Sequence, residues 1–224
     1  GGTDWEGKTF KPLTGSNIEL GVKKNWFGDR LSTNVAVYQI VKNNVLAADL
    51  EHESPTAGFI YSRTNGQQKI KGVEVDVKGQ LAPGLNVLIN YAYTDGQVTK
   101  DAYANLVGNY ISGTAKHIQN SWLNYRVNRG TLAGLGIFAG YQWQIGRIAG
   151  QVYDKSENFL PNYFRLDAGI GYSVNRFDIK LNVNNVLNKY LYTGAPSYDN
   201  NGNHIYYWQA EAGRNLRVST SYRF

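Results

Sequence analysis

The sequence predicts an all-β fold, an antiparallel transmembrane β-barrel, on three observations. Apolar and polar residues alternate in runs of roughly ten, connections between the runs are short and long in turn, and aromatic residues sit at the ends of the apolar stripes. A strand of about ten residues, at ~3.3 Å per residue and a tilt near ~45°, covers the ~25 Å apolar band of an outer-membrane barrel. Strands of water-soluble folds average only about five or six residues.

Composition agrees with this and removes other classes. The chain has 224 residues, 42% hydrophobic and 18% charged, which is not a disordered composition. No apolar run reaches the length of a transmembrane helix, and the mild hydropathy is what alternating strands average to. Gly 25 and Tyr 17 are abundant, while Cys 0 and Met 0 exclude disulfides, CxxC zinc sites, thiol nucleophiles and haem attachment. A net charge of +6 invites nucleic acid, but the basic residues never gather beyond pairs such as Lys23 with Lys24 or Lys69 with Lys71, so no nucleic-acid partner is expected. The polar opening Gly1 to Lys11 has neither an initiating Met nor a signal segment, which predicts that the chain begins inside something longer.

Nine strands follow in order. The first carries Ile18, Leu20 and Val22 on one face. The second runs from Leu31 to Val41 with both faces fairly apolar, so its outward phase is open. The third sets Val73, Val75 and Val77 against Glu74, Asp76 and Lys78, and the fourth sets Leu85, Val87, Ile89, Tyr91 and Tyr93 against Asn86, Asn90 and Thr94. The fifth, from Lys116 to Val127, alternates weakly and its phase is also open. The sixth carries Leu135, Ile137, Ala139, Tyr141, Trp143 and Ile145, against a face of glycines and glutamines. The seventh has Phe164, Leu166, Ala168, Ile170 and Tyr172, the eighth Phe177, Ile179, Leu181 and Val183, and the ninth Leu216, Val218, Thr220, Tyr222 and Phe224.

The connections 27–30, 82–84, 128–130 and 175–176 are short; 43–69, 96–115, 147–161 and 188–213 are long. Sorting of this kind separates the two sides of a membrane barrel, with short periplasmic turns and long extracellular loops. Tyr91, Tyr93, Tyr141, Trp143 and Phe164 then belong to one membrane girdle, and Tyr222, with Phe177 and Phe224, to the other. An odd number of strands puts the chain's two ends on opposite sides.

Several stretches resemble one family. The closing Gly-Arg-Asn-Leu-Arg-Val-Ser-Thr-Ser-Tyr-Arg-Phe (213–224) resembles the terminal strand of TonB-dependent outer-membrane receptors, and Leu181-Asn182-Val183-Asn184-Asn185-Val186-Leu187-Asn188-Lys189-Tyr190 resembles their Asn-rich penultimate strand. Gly72-Val73-Glu74-Val75, Leu160-Pro161-Asn162-Tyr163 and Phe10-Lys11-Pro12 with Gly15 and Glu19 fit in the same order. The resemblance implies that residues 1–224 are the C-terminal portion, about nine strands, of a 22-stranded barrel, without its N-terminal plug domain. It further implies a ferric-siderophore receptor and transporter in the bacterial outer membrane, in which extracellular loops capture the chelate and TonB-driven rearrangement of the plug imports it. Implied partners are a ferric siderophore, the TonB–ExbB–ExbD complex acting through the plug, lipopolysaccharide, and the barrel-insertion machinery, for which Phe224 is the assembly signal. A passive porin-like or adhesin barrel, and a soluble carbohydrate-binding β-sandwich, remain as alternatives.

Little else in the chain carries chemistry. Gly134, Gly136 and Ala139 satisfy a loose dinucleotide-binding pattern, but an alternating strand follows where a helix is required. His52, His117 and His204 lack metal-ligand spacing, and Glu51 with Glu53 provides too few oxygens for a hard metal. No metal, cofactor or catalytic group is expected. On the polar face Lys23, Lys78, Arg165, Lys180, Arg217 and Arg223 oppose Glu19, Glu74, Asp76, Asp167 and Asp178, a nearly balanced interior suited to contacts with a plug. The candidate ligand contacts lie in the long loops: Trp5, Tyr103, Tyr110, Tyr153, Tyr198, Tyr206 and Trp208, with Arg63 and Arg147. Ring faces and guanidinium groups grip an aromatic, metal-loaded chelate by stacking, cation–π contact and charge.

Overall fold

The computed structural model describes residues 2–56, 58–149, 159–198 and 204–224, with 194–198 and 204–208 as backbone only. The strands are β1 (Thr14–Trp26), β2 (Leu31–Ala48), β3 (Ser62–Ala82), β4 (Leu85–Lys100), β5 (Ala115–Arg126), β6 (Leu135–Ile148), β7 (Phe159–Leu160), β8 (Tyr163–Val174), β9 (Phe177–Asn184), β10 (Tyr192–Tyr198), β11 (His204–Ala210) and β12 (Asn215–Tyr222). One antiparallel sheet runs β1-β2-β3-β4-β5-β6-β8-β9-β12, and β7 pairs with β6 off this path. The nine strands of that path are the nine that alternation predicts, and among the described residues β1 and β12 are open edges. The sheet is therefore an arc of barrel wall.

Register carries the apolar stripes across strand boundaries. Val22 lies opposite Val35, Val35 opposite Val75, Val75 opposite Tyr91, and Trp143 opposite Phe164. Lower in the sheet, Ala168 faces Val183 and Val183 faces Leu216. A one-residue slip in any pair would turn a whole stripe to the other face, so this continuity fixes the pairing. It also settles the two open phases: Val35 and Val37 of β2, and Leu123 and Tyr125 of β5, share the apolar face. That face is uncovered, with Val35, Val37, Ile137, Ile170, Ile179, Leu216 and Val218 all exposed. An apolar face of this extent is a membrane surface.

Rings cover glycines on the polar face. Tyr38 lies opposite Gly72, Trp122 opposite Gly140, and Phe138 opposite Gly169. A Cβ on those glycines would meet the facing ring at 2.4, 2.4 and 2.2 Å, respectively, so each ring occupies the space that a side chain there would need. Phe138 thus corrects the expectation that this side of the sixth strand is only small or uncharged polar.

The ends of the arc differ. At Pro83-Gly84, Gly84 takes φ 80 where a Pro-Gly turn needs a positive value, and Asn175 takes φ 50 in the two-residue β8–β9 turn. The β5–β6 connection is longer than expected and occupies 127–134, with Gly134 in it and not in the strand. At the opposite end the long connections are partly strand. β2 and β3 reach 18 and 21 residues and take up much of the expected 43–69 loop. The 188–213 connection contains the two-stranded β10–β11 sheet. The 101–114 loop folds back on β4 and β6: the Val98 amide donates to the Asn109 carbonyl, and the Ile148 amide to that of Thr114. The buried side chains Val98, Leu106, Ala115, Ile148, Tyr163 and Leu191 gather at this end, so the small core lies beneath the loops.

Candidate functional site

The long-loop end brings the candidate residues into two groups. In the first, the segment before β1 crosses onto the β2–β3 loop. The Trp5 ring stacks on His52 with centroids 3.9 Å apart, and His52 Nδ1 lies 2.9 Å from Asp49 Oδ2. Asp49 is 3% exposed and its amide donates to the Tyr61 carbonyl, while Arg63 pairs with Glu51 at 2.9 Å. Burial works against the Asp49 charge. The bonds from His52 and the Glu51 amide, with the charges of His52 and Arg63, outweigh it and hold this carboxyl below the ordinary value.

The second group is built on β5, β6 and β8. Lys116 donates to the Tyr110 hydroxyl at 2.7 Å and stands over that ring, which lies 6.3 Å from the ring of Phe159. Arg147 is 7% exposed; its Nη1 donates to the carbonyls of Pro161 and Tyr192, and its guanidinium lies 5.3 Å over the Tyr163 ring. This arginine binds β6, the entry to β8 and the root of the β10–β11 hairpin to one another. Tyr163 donates to Glu211, which also pairs with Arg165, and Arg165 in turn holds Asp167.

The network continues into the turn after β9. Asp167 Oδ1 accepts the Asn185 amide at 2.8 Å, and the Asn185 side chain both donates to the Lys189 carbonyl and accepts its amide. Asn185 and Asn188 take φ 51 and 50, and Asn188 accepts the Arg214 amide on the returning chain. The elbow that lifts the hairpin above the wall is thereby tied to the polar face. Asp167, Asn185, Glu211 and Tyr163 were not singled out from the sequence as site residues. For Asn185 the signal was the Asn-rich stretch, because asparagine tolerates the left-handed backbone that such an elbow requires; Asp167 appeared only as a polar-face charge and Tyr163 only within the Leu160-Pro161-Asn162-Tyr163 stretch.

Trp5 and Arg63 thus share one group, and Tyr110 and Arg147 the other. Tyr103 sits in the 101–114 loop, its amide bonded to Asp101. Tyr153 lies outside the described residues, and the side chains of Tyr198, Tyr206 and Trp208 do as well, although their backbones form β10 and β11. On the apolar face, Tyr91 bonds to His117, Tyr93 approaches the same ring, and Tyr141 stacks with Phe164. At the short-turn rim Tyr222 touches both Phe177 and Phe224.

Known proteins resemble this chain in sequence and in fold. The chain is 32% identical over 202 residues to the metal-pseudopaline receptor CntO of Pseudomonas aeruginosa, covering 89% of this chain and 27% of that protein. It is 30% identical over 227 residues to the ferrichrome outer membrane transporter/phage receptor of Escherichia coli, covering 98% and 28%. The solved structure of the pyoverdine outer membrane receptor from Pseudomonas aeruginosa superposes with a TM-score of 0.76 at 26% identity, over 100% of this chain and 31% of that one. The chain therefore spans less than a third of the length of each. A family model described as TonB dependent receptor-like, beta-barrel, matches residues 1–186, and the chain belongs to that family, as wall of a bacterial outer-membrane barrel.

Proposed function

We propose that this chain is the C-terminal arc of a TonB-dependent ferric-siderophore receptor, and that a plug domain fills the lumen from outside the described sequence. Its long-loop end captures the ferric chelate, and TonB with ExbB and ExbD drives uptake through the plug. The observation that carries this reading is the ordered loop platform. Trp5, Tyr110, Arg63 and Arg147 stand at the same end of the wall as the β10–β11 hairpin, and buried bonds to the wall hold that hairpin's root. A passive pore has no need of loops anchored so firmly to the lumen face. Arg147 and Lys116 position the loops, while the exposed ring of Trp5 offers contact surface, and the hairpin sequence carries Tyr198, Tyr206 and Trp208 as further candidates.

The test is growth of the host under iron limitation on a panel of ferric chelates, with the full-length gene intact, deleted, or lacking the hairpin residues 192–210. Loss of growth on one chelate after deletion, and a fall of at least tenfold in its uptake without the hairpin, is the expected result. Undiminished growth on every chelate would favour the passive barrel.

A further inference from the structure

The charges of the polar face, nearly equal in total, are not equal by height. Near the short turns the face carries Lys23, Lys78, Arg126, Lys180 and Arg223, with Asp76 and Asp178 among them. Glu19, Glu74 and Asp167 stand nearer the long loops. Among the described residues of this lower belt one ion pair forms, between Arg223 and Asp178 at 3.2 Å, which leaves the other four cations without a carboxylate within bonding distance.

Two of these cations frame a prepared site. Arg126 lies opposite Gly136, Gly136 opposite Gly171, and Gly171 opposite Lys180, so one row across four strands reads cation, glycine, glycine, cation. A Cβ on Gly136 would meet nothing nearer than 3.9 Å, so unlike Gly72, Gly140 and Gly169 it supports no ring. The row forms the floor of an open cleft that Phe138 and Asn124 close on one side. It continues towards Ser219, Ser221 and Arg223 as a second cleft of about 390 Å³. The backbones of Arg126 and Lys180 stand about 14 Å apart, three strand spacings, a distance that about four residues of extended chain cover.

We infer that this glycine-floored cleft between Arg126 and Lys180, at the short-turn end of the lumen face, docks an acidic segment of polypeptide entering from the periplasmic side. The occupant is the acidic, periplasm-facing part of the lumen-filling domain, so the inference rests on the proposed function and adds where that domain is held and by which charge. Open backbone at Gly136 admits an extended chain close to the wall, while the Lys180 stem lies over Gly171, where a Cβ would meet its Cγ at 3.1 Å. Asp178 also lines the cleft but is paired with Arg223, so Arg126 and Lys180 leave it a net positive charge, complementary to an acidic chain in a lumen where displaced water leaves such pairs little screened. A large part of the relatives' length lies outside this chain, which allows for such a segment.

The experiment uses the full-length receptor purified into neutral phosphatidylcholine bilayers and, in parallel, into bilayers containing phosphatidylglycerol. R126E/K180E is compared with wild type and with K11E/K100E, which changes the net charge equally at the other end. Folding of each is checked by heat-modifiable gel migration. Conductance and the rate at which a protease added on the periplasmic side cleaves the lumen domain are the readouts.

For R126E/K180E the expected result is at least a tenfold rise in open events and in cleavage rate, with K11E/K100E like wild type. A folded R126E/K180E protein indistinguishable from wild type overturns the inference, as does an equal change in the control. An effect confined to bilayers containing phosphatidylglycerol would assign the cleft to lipid phosphate and overturn it as well. R126Q/K180Q, which removes charge without reversing it, gives a smaller change in the same direction. Loss of chelate-dependent growth is scored separately: a wild-type receptor that supports no such growth refutes the transport reading, while protease protection still reports on the cleft.

Discussion

Asn185 shows how much one polar side chain holds at this end of the wall. It is 1% exposed, takes φ 51, and closes a turn by two bonds to Lys189 while its own amide occupies Asp167. Asn185→Ala removes both side-chain bonds to Lys189 and forces a Cβ residue without asparagine's tolerance into left-handed backbone. A loss of about 1–3 kcal/mol is expected, read as a lower temperature for loss of heat-resistant gel mobility in the full-length protein. Asn185→Gly, which meets the backbone requirement without the bonds, falls between Ala and wild type.

Asp49 makes the second prediction at this scale. Its folded carboxyl is held below the ordinary value, so it contributes stability to the β2–β3 loop above about pH 4 and loses it as the pH falls through the folded value. Hydrogen exchange at the Asp49 and Glu51 amides should remain slow at pH 6 and rise below about pH 4 beyond the ordinary chemical trend. Asp49→Asn should remove that dependence. None of this was visible in the sequence, because Trp5, Asp49, His52 and Arg63 meet only after β2 and β3 have paired.

At the scale of the element, the ring-on-glycine pairs leave no room for a side chain. A Cβ on Gly169 would lie 2.2 Å from the Phe138 ring and 2.6 Å from the Leu181 carbonyl, which cannot move without breaking the ladder. Gly169→Ala is expected to cost about 1–3 kcal/mol by displacing Phe138, whereas Gly136→Ala, with its open surroundings, leaves thermal stability unchanged. Thermal gel shifts of the two full-length variants test the contrast.

Strand identity was legible because a buried or lipid-facing stripe must repeat every second residue. Strand ends were not. Beyond the apolar band both faces of a strand meet water, so Lys42-Asn43-Asn44 and Gln67-Gln68-Lys69 show no contrast even though they lie in β2 and β3. β10 and β11 were missed for the same reason: Tyr192–Tyr198 contains Gly194 and Pro196, and Ile205, Tyr206, Tyr207 and Trp208 are bulky in both phases.

For the whole molecule, the fold class was legible and the loop platform was not, since the first follows from local pattern and the second from contacts between distant segments. Phe224 belongs to this scale. It is fully exposed two residues past β12 and touches Tyr222, as its proposed role of assembly signal requires. Phe224→Ala in the complete protein should lower its outer-membrane yield several-fold while leaving chelate uptake per inserted receptor unchanged. Equal yield would remove the assembly role.

A single perpendicular row runs from Trp26 at the short-turn rim of β1 through Leu31, Gly79, Val87, Leu123, Ala139, Ala168 and Val183 to Leu216. It begins at the rim and arrives at position 183 of β9, six places above Phe177 at that strand's start. The wall is therefore a staircase, and its strands lean against the axis. A force applied along the axis from below is shared as sliding stress over entire ladders and cannot peel them open one bond at a time.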